Sequence, residues 1–171
     1  ISNNKDLTFA PKLYTNENAL LLNEYRQAFR NGFLTLDTSY HEGYNNTSSK
    51  KTEGSRNHIF ANLDLNFGDD NMSNSSLNVK IQRTSNDTYF RVHNINTSLV
   101  DSENTTLENQ ISYNYNKPDM YLDIKANVFE DLTVKDSARY EYILPNITYG
   151  KTFISETLGT FDFKSNSFYS N

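Results

Sequence analysis

The chain contains no cysteine and no tryptophan, only six glycines and three prolines, and no apolar run of membrane-helix length. Without cysteine, disulfides, thiol catalysis and cysteine-based zinc sites are excluded. A membrane helix needs about 20 consecutive apolar residues, so helical spanning is excluded as well. A transmembrane strand needs only about 9–11 residues of alternating character, and that route stays open. Hydrophobic residues make up 36% of the 171, a thin core for a water-soluble globule of that length. Acidic and basic residues are interspersed at a net charge of −5, which leaves none of the basic stripe that a nucleic-acid surface requires.

What is abundant is aromatic and polar. Twelve tyrosines and eleven phenylalanines suit pleated surfaces and membrane interfaces. The chain starts at Ile1, and no signal or transit segment precedes the first strand-like run, so it is expected to be an internal piece of a longer chain.

The clearest pattern lies in Asn57 to Arg91. Ile59, Ala61, Leu63, Leu65 and Phe67 share one parity while Asn62, Asp64 and Asn66 hold the other; Leu77, Val79 and Ile81 against Asn78, Lys80 and Gln82 repeat it. Successive strand side chains point to opposite faces, so each run has one apolar and one polar face. The connecting Gly68 to Ser76 reads as a polar turn, and Asp69-Asp70-Asn71 lacks the ligand spacing of a calcium loop. The pair predicts an antiparallel hairpin.

The same reading along the chain predicts further strands at Asp6 to Tyr14, with Pro11 marking an edge, at Phe33 to His41 after the Asn31-Gly32 turn, and at Leu107 to Tyr115. Others follow at Tyr121 to Val128, Tyr140 to Phe153 around Pro145, and Leu158 to Phe168. Ala19 to Phe29 fits both a strand face and a helical stripe, and local propensity alone narrowly favours helix. Glu42 to Arg56 and Glu130 to Arg139 read as long exposed loops, and Thr84 to Thr106 as a long polar segment interrupted by Tyr89, Phe90, Val92, Ile95 and Leu99. Short turns on one side and long loops on the other match periplasmic turns and extracellular loops.

Catalytic chemistry is not expected. His41, His58 and His93 lack metal-ligand spacing and are expected to face solvent, with no metal or cofactor. Asp37, Asp64 and Asp123 fall on polar faces, one per strand, which is ordinary for a barrel lumen. Lys80, Arg83, Arg91 and Lys125 are cations near those faces and could meet phosphates. The Asn-x-Ser/Thr triplets are chance matches in a chain rich in these residues.

Three segments carry a family resemblance. Arg83-Thr84-Ser85-Asn86-Asp87-Thr88-Tyr89-Phe90-Arg91, LTFAPKLYTNENALLLNEYRQAF (7–29) and YEYILPNITYG (140–150) resemble, in the family's order, segments of the bacterial lipopolysaccharide-assembly family LptD, the organic-solvent-tolerance proteins. The resemblance spans Asp6 to about Tyr149 and decides Ala19 to Phe29 for strand.

The alternating runs predict an all-β, antiparallel up-and-down meander of about nine strands, and the resemblance implies that 1–171 is a single partial domain of a large transmembrane β-barrel in the bacterial outer membrane. The implied role is non-enzymatic: assembly of lipopolysaccharide into the outer leaflet, with a plug lipoprotein, periplasmic bridge proteins and membrane lipid as partners. Substrate contacts would lie on the polar face, at Asn62, Asp64, Asn78, Lys80, Gln110, Asp123 and Lys125. The alternation is equally compatible with a porin or receptor-type barrel, and a soluble adhesin-like β-sandwich is the third reading.

Overall fold

The computed structural model describes residues 3–46, 51–68, 72–135 and 137–169. Its strands are β1 (Lys5–Phe9), β2 (Leu20–Phe29), β3 (Gly32–Asn46), β4 (Lys51–Asn66), β5 (Asn74–Thr84), β6 (Thr106–Lys117), β7 (Met120–Asp131), β8 (Tyr140–Ser155) and β9 (Gly159–Ser167). One helical turn, α1 (Tyr89–His93), lies between β5 and β6, and a 3-10 turn, Ser137–Arg139, precedes β8. All nine strands join one antiparallel sheet in sequence order, with β1 and β9 as its edges. The fold is therefore the expected all-β meander, as an open sheet rather than a closed barrel.

β2 is a strand although its local signal leans to helix. It is paired on both sides, with Thr8 opposite Glu24 and Tyr25 opposite Leu36, so two ladders outweigh a propensity difference of a few tenths of a kcal/mol per residue. Pro11 ends β1 early, and pairing resumes only at the isolated Lys12–Leu20 bridge. Pro145 sits where Leu144 and Pro145 together stand opposite Ala126, a bulge in the β7–β8 ladder that accommodates the missing N–H.

Two expectations fail here. Glu42 to Arg56 is not a loop: apart from 47–50, which lie outside the described residues, it continues the β3–β4 ladder, with Glu42 opposite Ser55 and Asn46 opposite Lys51. Backbone ladder bonds need no apolar alternation, so polar composition alone could not reveal this extension. The Asn31-Gly32 pair also predicts a tight hairpin turn at positive φ, yet the turn at Arg30-Asn31 forms without it, since Asn94 and Gly159 alone have positive φ among the described residues. Gly32 is required for a different reason. A Cβ there would lie 2.0 Å from the Asp64 carbonyl oxygen and 2.9 Å from Leu65 Cα on the adjacent strand. Because backbone atoms cannot swing aside, Gly32→Ala is expected to lower unfolding stability by about 1–3 kcal/mol, read from the denaturant midpoint. The Asp69-Asp70-Asn71 turn lies outside the described residues.

The register carries the two faces across the sheet. Leu34, Leu63, Val79, Ile111 and Ala126 are successive cross-strand partners, and Ile124–Ile147 and Leu122–Tyr149 extend the row. One position over, Thr35, Asn62, Lys80, Gln110 and Asn127 form the matching polar row. Among the described residues no second layer covers the apolar face: Ile81 is 44%, Ile111 52% and Phe163 53% exposed. The buried core lies on the other side, toward the end of the sheet from which the long connections leave.

Candidate functional site

The seven expected site residues share the polar face, and four of them, Asn62, Asp64, Asn78 and Gln110, are joined by hydrogen bonds. Asn62 donates to Asp64 at 2.8 Å, Asn78 donates to both Asp64 and Asn62, and Gln110 donates to Asn78 at 3.1 Å. Lys80 Nζ lies 2.7 Å from Glu108 Oε2, so its charge is largely matched. Asp123 and Lys125 lie further along the same face, opposite Asn114 and Ser112. Of the other cations, Arg83 pairs opposite Ile59 and belongs to the apolar face, and Arg91 is exposed on α1. This amide-rich row is a preorganised set of donors and acceptors suited to hydroxyl-bearing ligands.

The second feature is the connection 85–105, which folds back over the polar face of β4, β3 and β2. Its composition is polar, yet Tyr89, Phe90, Ile95 and Val100 are buried against Leu20, Leu22, Phe60, Leu107 and Leu132. Rings set edge-on at 5.3 Å join Phe90 to both Phe60 and His58. Asn94, with φ of 45°, ends α1, and Lys12 Nζ donates to the freed carbonyls of His93 and Asn94 at 3.1 and 2.8 Å. Ser98 bonds Glu24 of β2, and Arg139 reaches Asp87 at 2.8 Å. Between this connection and the sheet, near Asn62, Asn78, Gln82, Ser98, Leu99 and Gln110, lies a cavity of about 430 Å³.

Beneath α1 runs a buried hydrogen-bonded chain. The Tyr89 hydroxyl lies 2.7 Å from Ser39 Oγ, Ser39 Oγ 2.6 Å from His58 Nδ1, and His58 Nε2 2.8 Å from Asp37 Oδ1. Asp37 is 1% exposed and Tyr89 fully buried. Asp37, His58 and Ser39 have the composition of an acid–base–nucleophile triad, but Tyr89 occupies the hydroxyl that would attack, so the arrangement is a capped relay with no room for a substrate.

A second cluster adjoins it. His41 and His93 rings stand 4.7 Å apart, the Tyr14 hydroxyl lies 3.2 Å from His93 Nδ1, and Glu17 lies 3.8 Å from His41 Nε2. His93 Nε2, His41 Nδ1 and Asp37 Oδ2 are buried without hydrogen-bond partners among the described residues. Burial, then the proximity of His41 and Arg56, pushes the His93 imidazolium down to about 4. Burial pushes the Tyr89 phenol up to about 12 and raises Tyr14, Glu17 adding to the latter. Among the described residues, no group of three acidic or imidazole side chains is placed to hold a metal.

The solvent-facing reading of the three histidines is thus overturned: His41, His58 and His93 are all buried. The cause is the 85–105 connection, which covers the strand ends that would otherwise be open. Asp37, Ser39 and Tyr89 were not singled out as a unit by their spacing. The available signals were the Asp37-x-Ser39-x-His41 alternation on one parity and two aromatic residues inside a polar stretch. No protein-family model matches the chain, and no curated protein matches it.

Proposed function

We propose that the chain is a wall segment of an outer-membrane β-barrel whose polar face lines the lumen, and that this barrel is a lipopolysaccharide-assembly translocon. The observation that carries the first half is a single nine-stranded meander with one continuous apolar face that no other layer among the described residues covers. Exposed apolar surface of that extent needs a non-aqueous neighbour, and in a bilayer the hydrocarbon supplies it. That the described strands form one sheet favours this reading over a sandwich, which needs a second sheet against the apolar face.

The open edges β1 and β9 would be paired by further strands, because unpaired backbone groups are not tolerated in hydrocarbon. The second half rests on the order of the three resembling segments, which a porin or receptor barrel does not account for. In this reading Lys125 meets phosphate and Lys80 does so in exchange for Glu108, while Asn62, Asn78 and Gln110 bond sugar hydroxyls, with Asp64 ordering the Asn62 and Asn78 amides and Asp123 on the same face. The barrel has no catalytic role, takes no cofactor, and works with a plug lipoprotein and periplasmic bridge proteins.

A paired substitution tests the orientation. Leu63 stands between Leu34 and Val79, so Leu63→Arg should cost about 2–4 kcal/mol on the lipid face, whereas Asn62→Arg can pair with Asp64 and should cost far less. Equal losses in unfolding from lipid vesicles would sink the assignment. For the substrate, photo-crosslinkers at Asn62 and Lys125 in the intact protein should capture lipopolysaccharide more than one at Leu63.

A further inference from the structure

The connection 85–105 is attached to the sheet in an unusual way. Its two ends are tied by backbone bonds, Ser85 N–H to the Asn57 carbonyl at 2.9 Å and Leu132 N–H to the Thr105 carbonyl at 2.8 Å. Between those ends its backbone bonds to itself: Tyr89 N–H to Asn86, Val92 to Thr88, Ile95 to Phe90 and Thr97 to Val100. What holds its middle to the sheet is side chains. They are the apolar anchors Phe90, Ile95 and Val100, the Tyr89–Ser39 bond, Lys12 on the α1 carbonyls, Tyr14 on His93 and Ser98 on Glu24. A body so attached can swing about its ends without breaking a single strand ladder.

Two of those attachments are sensitive in different ways. The chain Tyr89–Ser39–His58–Asp37 is fully buried, so losing any link leaves buried polar groups unpaired. His93 is the foot of α1. Around it stand Lys12, Tyr14 and Glu17 from the β1–β2 connection, His41 from β3, Arg56 from β4 and Tyr89 from its own turn. The one acid in that set lies beside His41 rather than bonded to His93, and His93 Nε2 has no acceptor among the described residues. With no acceptor at Nε2 among the described residues, a charged His93 ring has at most the Tyr14 oxygen to bond, and burial with His41, Arg56 and Lys12 disfavours its charge more than Glu17 supports it.

We propose that segment 85–105 is a hinged lid over the polar face, latched by the Tyr89–Ser39–His58–Asp37 chain and released by protonation of His93. Swinging it away widens the half-open cleft bordered by Ser98 and Leu99 and uncovers more of the partly exposed amide row beside it. The device does not depend on which side of the sheet meets lipid.

The sign follows from proton linkage. Docked His93 titrates near 4, while undocked it returns to about 6.5, so between these values the undocked lid binds more protons. Docking is therefore strongest above about pH 6.5 and weakens as pH falls toward 4. At pH 5, where most carboxylates remain ionised, the docking equilibrium should drop about 30-fold relative to pH 7.5.

Hydrogen exchange of the intact protein in detergent, corrected for intrinsic rates, tests this at both pH values. Protection of the Val92, Ile95 and Thr97 amides should fall by about 30-fold at pH 5 while the β3–β4 ladder keeps its own. Tyr89→Phe should weaken lid protection by about 5–10-fold at both pH values and leave the pH ratio intact. His93→Gln, which can still bond Tyr14, should stay docked at pH 5 with a ratio near one. Unchanged wild-type protection at pH 5, a His93→Gln variant with the wild-type ratio, or loss of ladder protection together with the lid would each overturn the proposal.

Discussion

His58→Ala is expected to destabilise the fold by about 3–5 kcal/mol, from the cavity left by a buried ring together with the buried hydrogen-bonding groups it leaves unpaired. Asp37 has a single hydrogen bond among the described residues, from His58 Nε2 at 2.8 Å, and its other oxygen is buried without one. Deleting the imidazole strands that carboxylate on the wall of a new cavity and also removes the partner of Ser39 Oγ. Denaturant unfolding in lipid vesicles or detergent measures the loss. Because the cost arises from the stranded group, combining His58→Phe with Asp37→Val should recover much of it. A loss below about 1 kcal/mol for His58→Ala would mean that the chain is not a buried network.

Phe90→Ala should cost about as much, roughly 3–5 kcal/mol, by a different route. The ring is 2% exposed and is the apolar centre of the lid, edge-on to Phe60 and His58 at 5.3 Å each. Truncation opens a cavity where three rings meet, and the aromatic edge contacts add to the lost burial. The loss should be spent first on undocking. Limited proteolysis is expected to cut within 85–105 in the variant before any strand is reached, while Val92→Ala, at a position 61% exposed, changes the pattern little. Cleavage spread evenly over the strands would show instead that Phe90 supports the whole sheet.

The sheet and its two faces were legible in the chain because strand alternation is a local, period-two signal. Ile59 to Phe67 and Leu77 to Gln82 need no distant partner to declare which side chains go together, and pairing Asn62 with Lys80 and Leu63 with Val79 follows once the hairpin forms. Ala19 to Phe29 stood at the margin of that logic. Its local pattern serves helix or strand equally, and the two neighbouring ladders made it strand. The extension of β3 and β4 through polar residues carries no periodic signal at all.

By itself the sequence determined which residues can share a face and where the alternating part of each strand lies, but not how far the polar ends of β3 and β4 run. Only the tertiary structure decided what covers that face. Tyr89 reaches Ser39 across 50 residues of chain, and Tyr14 reaches His93 across 79, and no spacing rule links positions so far apart. A polar composition also conceals such a lid, because its four apolar anchors fall at irregular intervals that match neither strand nor helix period. The histidines became buried for the same reason. Their environment is set by what folds over them, whereas alternation reports only the direction in which each side chain leaves its own strand.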